Sequence, residues 1–380
     1  MLRVFMTDDW VTPPFVDAVR DFERSHPDVR VEYEKFPISH MLDNVAAETR
    51  KGAPPDVVQA HAFSAAAQDL AQPLDDLWGK AISTSEFLPG AIDDVTWAGR
   101  LYGVPLDTNA LFLIFNNQLF QAANVAPPTG RMTFDQFESA ARALSVEPRR
   151  ALAIPTSSWW TYGWIKANGG EVVQVGDDGS VRLTLDAPEV VGALDFLARL
   201  VKAGLAFPPA AADSHSGDAL SLFRSGSAAT LASGTWDVAI LAREPDPERF
   251  DSSLLPSGPR GTGGTVMGGS SMFVPTGSTN RELAFEFMAH LVSDTYALRF
   301  AKEEGRLPVR PRVYEDPYFD SPDMVTVREQ LPTASPFKLG AFPDAHDIFA
   351  ASIDHILREG QDPATVLRSA QERAQATVPG

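Results

Sequence analysis

The chain has 380 residues, 44% of them hydrophobic and 22% charged, with a formal charge of -18 and no cysteine. That length admits two or three domains. So negative a field repels phosphate backbones and anionic lipid, so neither nucleic acid nor a membrane surface is an expected partner. The missing cysteines exclude disulfides, thiolate metal sites and a cysteine nucleophile, and no run approaches the ~18 apolar residues of a membrane-spanning helix.

The opening MLRVFMTDDW has the pattern of a strand, not the basic-then-apolar pattern of a signal peptide. If the protein is exported, its leader has been removed and Met1 added, and an attachment cysteine for lipid, if one exists, lies outside this sequence. Leu2–Met6 reads as strand one. Thr12 is placed to cap a helix beginning at Pro13-Pro14, with Phe15, Val16, Val19 and Phe22 on one face. Val29, Val31 and Tyr33 alternate with charged residues as strand two. Strand, helix and strand within about 35 residues make a βαβ unit and hence a parallel sheet. A helix through Met41 and Val45, a strand at Asp56–Gln59 and a helix from Phe63 to Leu70 continue the pattern.

Leu111 to Phe115 is an unbroken apolar run preceded by Asp107, Thr108 and Asn109. Polar groups at the mouth of a buried strand need partners, and a bound solute is one such partner. Met267–Pro275 repeats the arrangement, with Gly268-Gly269-Ser270 before a short apolar run. We read these two segments as paired crossings between two lobes, with a cleft between them. Close backbone approach, to a ligand or to the facing crossing, accounts for the glycines there.

Between the crossings, Thr133-x-x-Gln136 is a capping box. Ala151–Pro155 is a strand, Asp177-Asp178-Gly179 marks a hairpin, and Asp186 is expected to cap a long helix starting at Pro188. Ser227–Ala232 is a strand, and Gly234-Thr235-Trp236 opens the next helix. After the return crossing, Asn280 caps a helix carrying Leu283, Phe287 and Leu291. A shorter helix ends at Gly305, Leu307–Arg312 is a third crossing, and two helices near Asp344–Glu359 and Pro363–Thr377 close the chain.

Trp10, Trp159, Trp160 and Trp236 each follow a strand, at the ends where ligands collect in open α/β sheets. Flat aromatic faces with an N–H at the edge suit sugars, which combine apolar C–H faces with hydroxyls; core packing is the alternative role. Asp8-Asp9 is no glycosidase pair, because neighbours on a strand point to opposite faces, although Asp9 alone suits a hydroxyl. His61, beside Phe63, reaches either the cleft or the surface. Arg306 and Arg310 flank Pro308, and either guanidinium suits a polar ligand group or an ion pair. No metal-binding, phosphate-loop or nucleophile-elbow spacing occurs. No catalytic residue, metal or cofactor is therefore assigned.

In order along the chain, FMTDDW, PDVRVEYEKFP, PPDVVQAHAF, YGVPLDTNALFLIFNNQLF, SSWWTYGWIKANGGE, ASGTWDVAIL, GGSSMFVP and RLPVRPRVYEDP resemble segments of the family 1 extracellular solute-binding proteins of ABC importers, the maltose-binding-protein-like group. The resemblance implies an α/β, two-lobed periplasmic-binding-protein-like fold, each lobe a mostly parallel sheet with flanking helices. Lobe one is expected over 1–109 plus 272–307 and lobe two over 110–271 plus 308–380. It also implies that Asn109 contacts sugar and that Trp159, Trp160 and Trp236 form aromatic platforms. The expected site is Asp9, Trp10, His61, Phe63, Asp107, Asn109, Trp159, Trp160, Trp236, Gly269, Ser270 and Arg310. Ala60-His61-Ala62-Phe63 stands where sugar binders of this kind present Trp and Asp.

The function this implies is capture of a mono- or oligosaccharide by hinge closure and delivery to a membrane permease. The chain would act as a monomer, periplasmic or at the extracellular face of a bacterial membrane. Two alternatives remain open. One is a binder of another polar solute (sugar phosphate, glycerol phosphodiester or polyamine); the other is a carbohydrate-active hydrolase.

Overall fold

The computed structural model of the protein describes residues 1–210 and 217–379. The chain forms two compact units. One comprises Met1–Thr108, Gly176–Gly179 and Gly268–Phe319, and the other Asn109–Val175, Ser180–Met267 and Asp320–Gly380. Residues 268–271 and 308–319, expected from sequence in lobe two, group with the first unit. Hydrogen bonds from Ser270 to Asp107 and from Ser271 to Ala60 draw the former segment in.

In the first unit Leu2–Met6 lies between Val31–Lys35 and Val57–Ala60, parallel to both, with Leu2 opposite Val31 and Val4 opposite Val57. The helix Pro13–Ser25 buries Phe15, Ala18, Val19 and Phe22, as its apolar spacing requires. Thr12 occupies the N-cap position, yet its hydroxyl makes no capping bond and is buried without a partner among the described residues. Prolines in the first turn set this helix start instead. Thr265–Phe273 joins antiparallel to Val57–Ala60, with Ser271 opposite Ala60, and Gly103–Ala110 pairs with it in turn. Helices Arg281–Leu291 and Asp294–Glu304 complete the layer, Phe287 meeting Phe22 edge-on. Asn280 precedes the first of them but does not cap it, because its amide reaches Asp56 at 3.1 Å.

The apolar run after Asn109 is not one strand with a polar mouth. The chain breaks at Leu111 into two strands, Gly103–Ala110 and Phe112–Asn116. Asp107, Thr108 and Asn109 are thus ladder residues themselves, and Thr108 bridges to Leu307.

In the second unit Phe112–Asn116 is flanked by Ala228–Ser233 and Phe250–Ser253, antiparallel to both. Arg150–Ala153 then pairs parallel with Ala228–Ser233 and with Ala206–Phe207. This sheet is therefore mixed, with Phe112–Asn116 running against both of its neighbours. Phe134 stacks on Phe196 at 4.0 Å, with Phe137 and Trp164 against the same ring. The Thr133–Gln136 capping box is formed. The helix Pro188–Lys202 is led by Ala187, not Asp186, and has no side-chain cap. Pro343–Leu357 and Pro363–Gln375 pack on this unit, and Pro322–Gln330 is a further helix, not assigned from the sequence, that starts after Ser321 with Pro in its first turn.

Candidate functional site

In the first unit a chain of polar groups runs along the strand ends. Ser270 donates both its N–H and its hydroxyl to Oδ1 of Asp107, each at 2.8 Å. Gln59, buried at the end of the Val57–Ala60 strand, donates to the Ser270 hydroxyl at 3.0 Å. Its carbonyl accepts from the Thr7 N–H at 3.0 Å, and the Thr7 hydroxyl donates to Asp9. Arg306 closes the line, its Nη2 donating to the Asp9 carbonyl at 2.8 Å and to Asp9 Oδ2 at 2.7 Å.

Gly269 makes this register possible. Its φ is +104°, and a Cβ there would lie 2.4 Å from the Asp107 carbonyl oxygen. The substitution Gly269→Ala is expected to lower stability by about 2–4 kcal/mol in urea unfolding, combining backbone strain with backbone overlap.

Charge in this unit is arranged unevenly. Burial pushes the Asp107 carboxyl up to about 6, against the pull of Arg306 and of the Ser270 bonds. Partial burial also raises Asp9, but bonds from Thr7 and Arg306 outweigh it and leave its carboxyl below the ordinary range. Desolvation pulls the His61 imidazole down, yet the Asp94 carboxylate, 2.8 Å from Nδ1, prevails and the net shift is upward.

Trp10 and Phe63 are core side chains, each 2% exposed. The Trp10 ring meets the edge of Phe300 at 4.9 Å, and the Arg306 guanidinium lies 4.6 Å over it. Phe63 packs beside His61. Arg310 is also buried, paired with Glu86 and with Asp294, and stands over Phe87. Its charge is engaged inside the unit. Arg310→Ala is expected to lower stability by about 1–3 kcal/mol, since both carboxylates keep some solvent, while calorimetric solute affinity changes less than twofold.

The second unit holds three half-buried tryptophans in mutual contact. Trp159 and Trp160 lie in the first turn of the helix Ser158–Ala167, and Trp236 in the first turn of Thr235–Leu241. Ring centroids are 5.0 Å apart for Trp159 and Trp160, 6.0 Å for Trp159 and Trp236, and 6.2 Å for Trp160 and Trp236. The Trp159 N–H donates to the Met267 carbonyl at 3.3 Å. The Trp160 N–H and the Asn109 side-chain oxygen are buried and have no partner among the described residues. Edge-to-face tryptophans with a free donor and a free acceptor in the same unit suit a ligand with apolar faces and hydroxyl edges.

The structure thus joins Asp9, Asp107, Gly269 and Ser270 in one network and Trp159, Trp160 and Trp236 in one cluster. It keeps Trp10, Phe63 and Arg310 in packing. Thr7, Gln59 and Arg306 complete the network without having been assigned to the site. Gln59, a polar residue inside the apolar DVVQA strand, carried a local signal, and Arg306 carried the one it shares with Arg310, a place beside Pro308.

A family model for bacterial extracellular solute-binding proteins matches residues 17–326. A putative binding protein of Brucella abortus (strain 2308) is 24% identical, over 96% of this chain and 90% of its own length. The galactooligosaccharide-binding protein of Bacillus subtilis (strain 168) is 22% identical, over 95% and 86%. Among solved structures, the sugar-binding protein MalE of Xanthomonas citri aligns with a TM-score of 0.86 at 20% identity, covering 99% of this chain and 96% of that one. This likeness bears out the α/β periplasmic-binding-protein fold expected from the sequence. With most of its length matched to one family, the chain belongs to the bacterial extracellular solute-binding proteins.

Proposed function

We propose that the protein captures a neutral mono- or oligosaccharide for an ABC permease, binding it without chemical change. The observation that carries this reading is the tryptophan cluster of Trp159, Trp160 and Trp236, which offers half-buried indole surface beside a buried N–H with no partner among the described residues. Apolar sugar faces stack on such surface and hydroxyl edges take up the free polar atoms. The Asp107 network supplies the second kind of group a sugar needs, fixed acceptors and donors for hydroxyls. The relatives named for galactooligosaccharide and sugar binding have the same chemical requirement.

In this reading the tryptophan cluster and the Asp107 network both take part in binding, and the solute shifts the hinge equilibrium by its differential affinity for the closed state. A micromolar ligand supplies ~8 kcal/mol in total, enough to close a hinge whose open form leads by a few kcal/mol. Delivery to a permease places the protein in the periplasm or at the outer face of the membrane.

Calorimetric titration with maltose, maltotriose, lactose and diacetylchitobiose, followed by chromatography of the recovered sugar, tests the proposal. Saturable binding with the sugar recovered intact is the expected result. No binding across the panel, or conversion to product, would overturn it.

A further inference from the structure

The first unit contains a donor and an acceptor that are adjacent but not joined. Arg306 Nη2 is fully used by Asp9, whereas Nη1 lies 3.8 Å from Asp107 Oδ2, too far for a direct hydrogen bond. Oδ1 of Asp107 takes both Ser270 bonds, and Oδ2 takes none from the described residues. The Asp107 side chain is 9% exposed and that of Arg306 is 23% exposed. A carboxylate oxygen without a donor, beside a partly open guanidinium nitrogen without an acceptor among the described residues, calls for one group that both accepts and donates.

A hydroxyl is such a group. Two hydrogen bonds of ~2.8 Å over a 3.8 Å base make an ordinary triangle. An anionic group fits worse, because Asp9 and Asp107 both stand against the one cation. An ammonium fits worse too, because Nη1 would face it. Resting on the carbohydrate reading above, we propose that Arg306 and Asp107 together read one solute hydroxyl, Nη1 donating to its oxygen and Oδ2 accepting its proton. Trp10 is then a positioning residue. Its ring lies beneath the guanidinium, and Asp9 fixes the far nitrogen, so the fork keeps one orientation.

The test uses the sugar of the panel that binds wild type most tightly, together with its set of monodeoxy analogues. In wild type, one analogue is expected to bind on the order of 10–100-fold more weakly than the parent, the loss of a hydroxyl paired with charged groups. Arg306→Ala should bind the parent correspondingly more weakly and no longer distinguish it from that analogue. Trp10→Phe, which keeps an aromatic face, should show an intermediate discrimination that a general loss of stability would not produce. Arg306→Lys, which keeps the charge without the fork, replaces the alanine variant if thermal unfolding shows the latter to be misfolded, and should lose the same discrimination. Full discrimination in the folded Arg306 variant would overturn the assignment. A wild type that binds no sugar in the panel would instead overturn the carbohydrate reading on which it rests.

Discussion

Trp236→Ala should weaken binding of the best panel sugar by about 10–100-fold and shift the thermal midpoint little. The ring is half-buried at the start of the helix Thr235–Leu241, so the space it leaves is open to solvent on one side. What is lost is one stacking surface, about 1.4–2.8 kcal/mol of face contact and burial. The backbone prepares this surface. At Gly234 a Cβ would lie only 2.1 Å from the Trp236 ring, so the indole rests directly over the chain. Gly234→Ala should therefore displace the ring and reproduce part of the affinity loss with every tryptophan still present. Calorimetry on both variants checks the pair, and an unaltered affinity in Trp236→Ala would remove this residue from the site.

Asp107→Asn should act in two opposite directions, weakening sugar binding while strengthening the fold at neutral pH. The carboxyl is raised to about 6 from an ordinary 3.8, first by burial. Its contribution to stability is therefore fully present below pH ~3.8 and is lost as pH rises through about 6. The 2.2-unit difference corresponds to about 3 kcal/mol at most by linkage. The asparagine keeps the oxygen that accepts from Ser270 but carries no charge to bury. Denaturant unfolding at pH 7.5 should show the variant more stable, with the advantage vanishing near pH 4.

Binding should follow the same titration with the opposite preference. A hydroxyl donating to Asp107 requires the ionised form, so affinity is flat above about pH 7 and falls by up to tenfold per unit below about 6. The groups facing Asp107 are Asp9, Arg306, His61 and Tyr314. His61 takes up its proton first, and its positive charge favours the Asp107 carboxylate, which leaves the sign unchanged. In Asp107→Asn the drop below pH 6 should disappear. An equal drop in the variant would assign it to another group.

The parts of this molecule written locally were legible. The βαβ opening follows from alternation in Val31–Lys35 and the helical stripe of Phe15, Val19 and Phe22, both set by near neighbours in sequence. The same holds for the Thr133–Gln136 capping box, whose two bonds join residues three apart. Tryptophans placed just beyond strands Arg150–Ala153 and Ala228–Ser233 marked the cluster, because strand ends can be read without knowing the sheet order.

What escaped was either non-periodic or long-range. The helix Ser158–Ala167 buries Ser158, Thr161, Tyr162, Gly163, Trp164, Ile165 and Ala167, so nearly every side faces protein and no stripe betrays it. The break at Leu111 lies within a continuous apolar run and is imposed by two different sets of partner strands. Arg306 and Asp9 are 297 residues apart, and Ser270 and Asp107 are 163 apart. No local pattern could favour Arg306 over Arg310, since both flank the same proline. Their difference arises only when Glu86 and Asp294 fold against one and Asp9 and Trp10 against the other.

The central claim is that the tryptophan cluster and the Asp107 network both take part in sugar binding, and hydroxyl-radical footprinting with and without the best panel sugar tests it most directly. The account predicts simultaneous protection of Trp159, Trp160 and Trp236 in one unit and of the segments around Asp107, Ser270 and Arg306 in the other. Protection confined to a single unit at saturating sugar would contradict it.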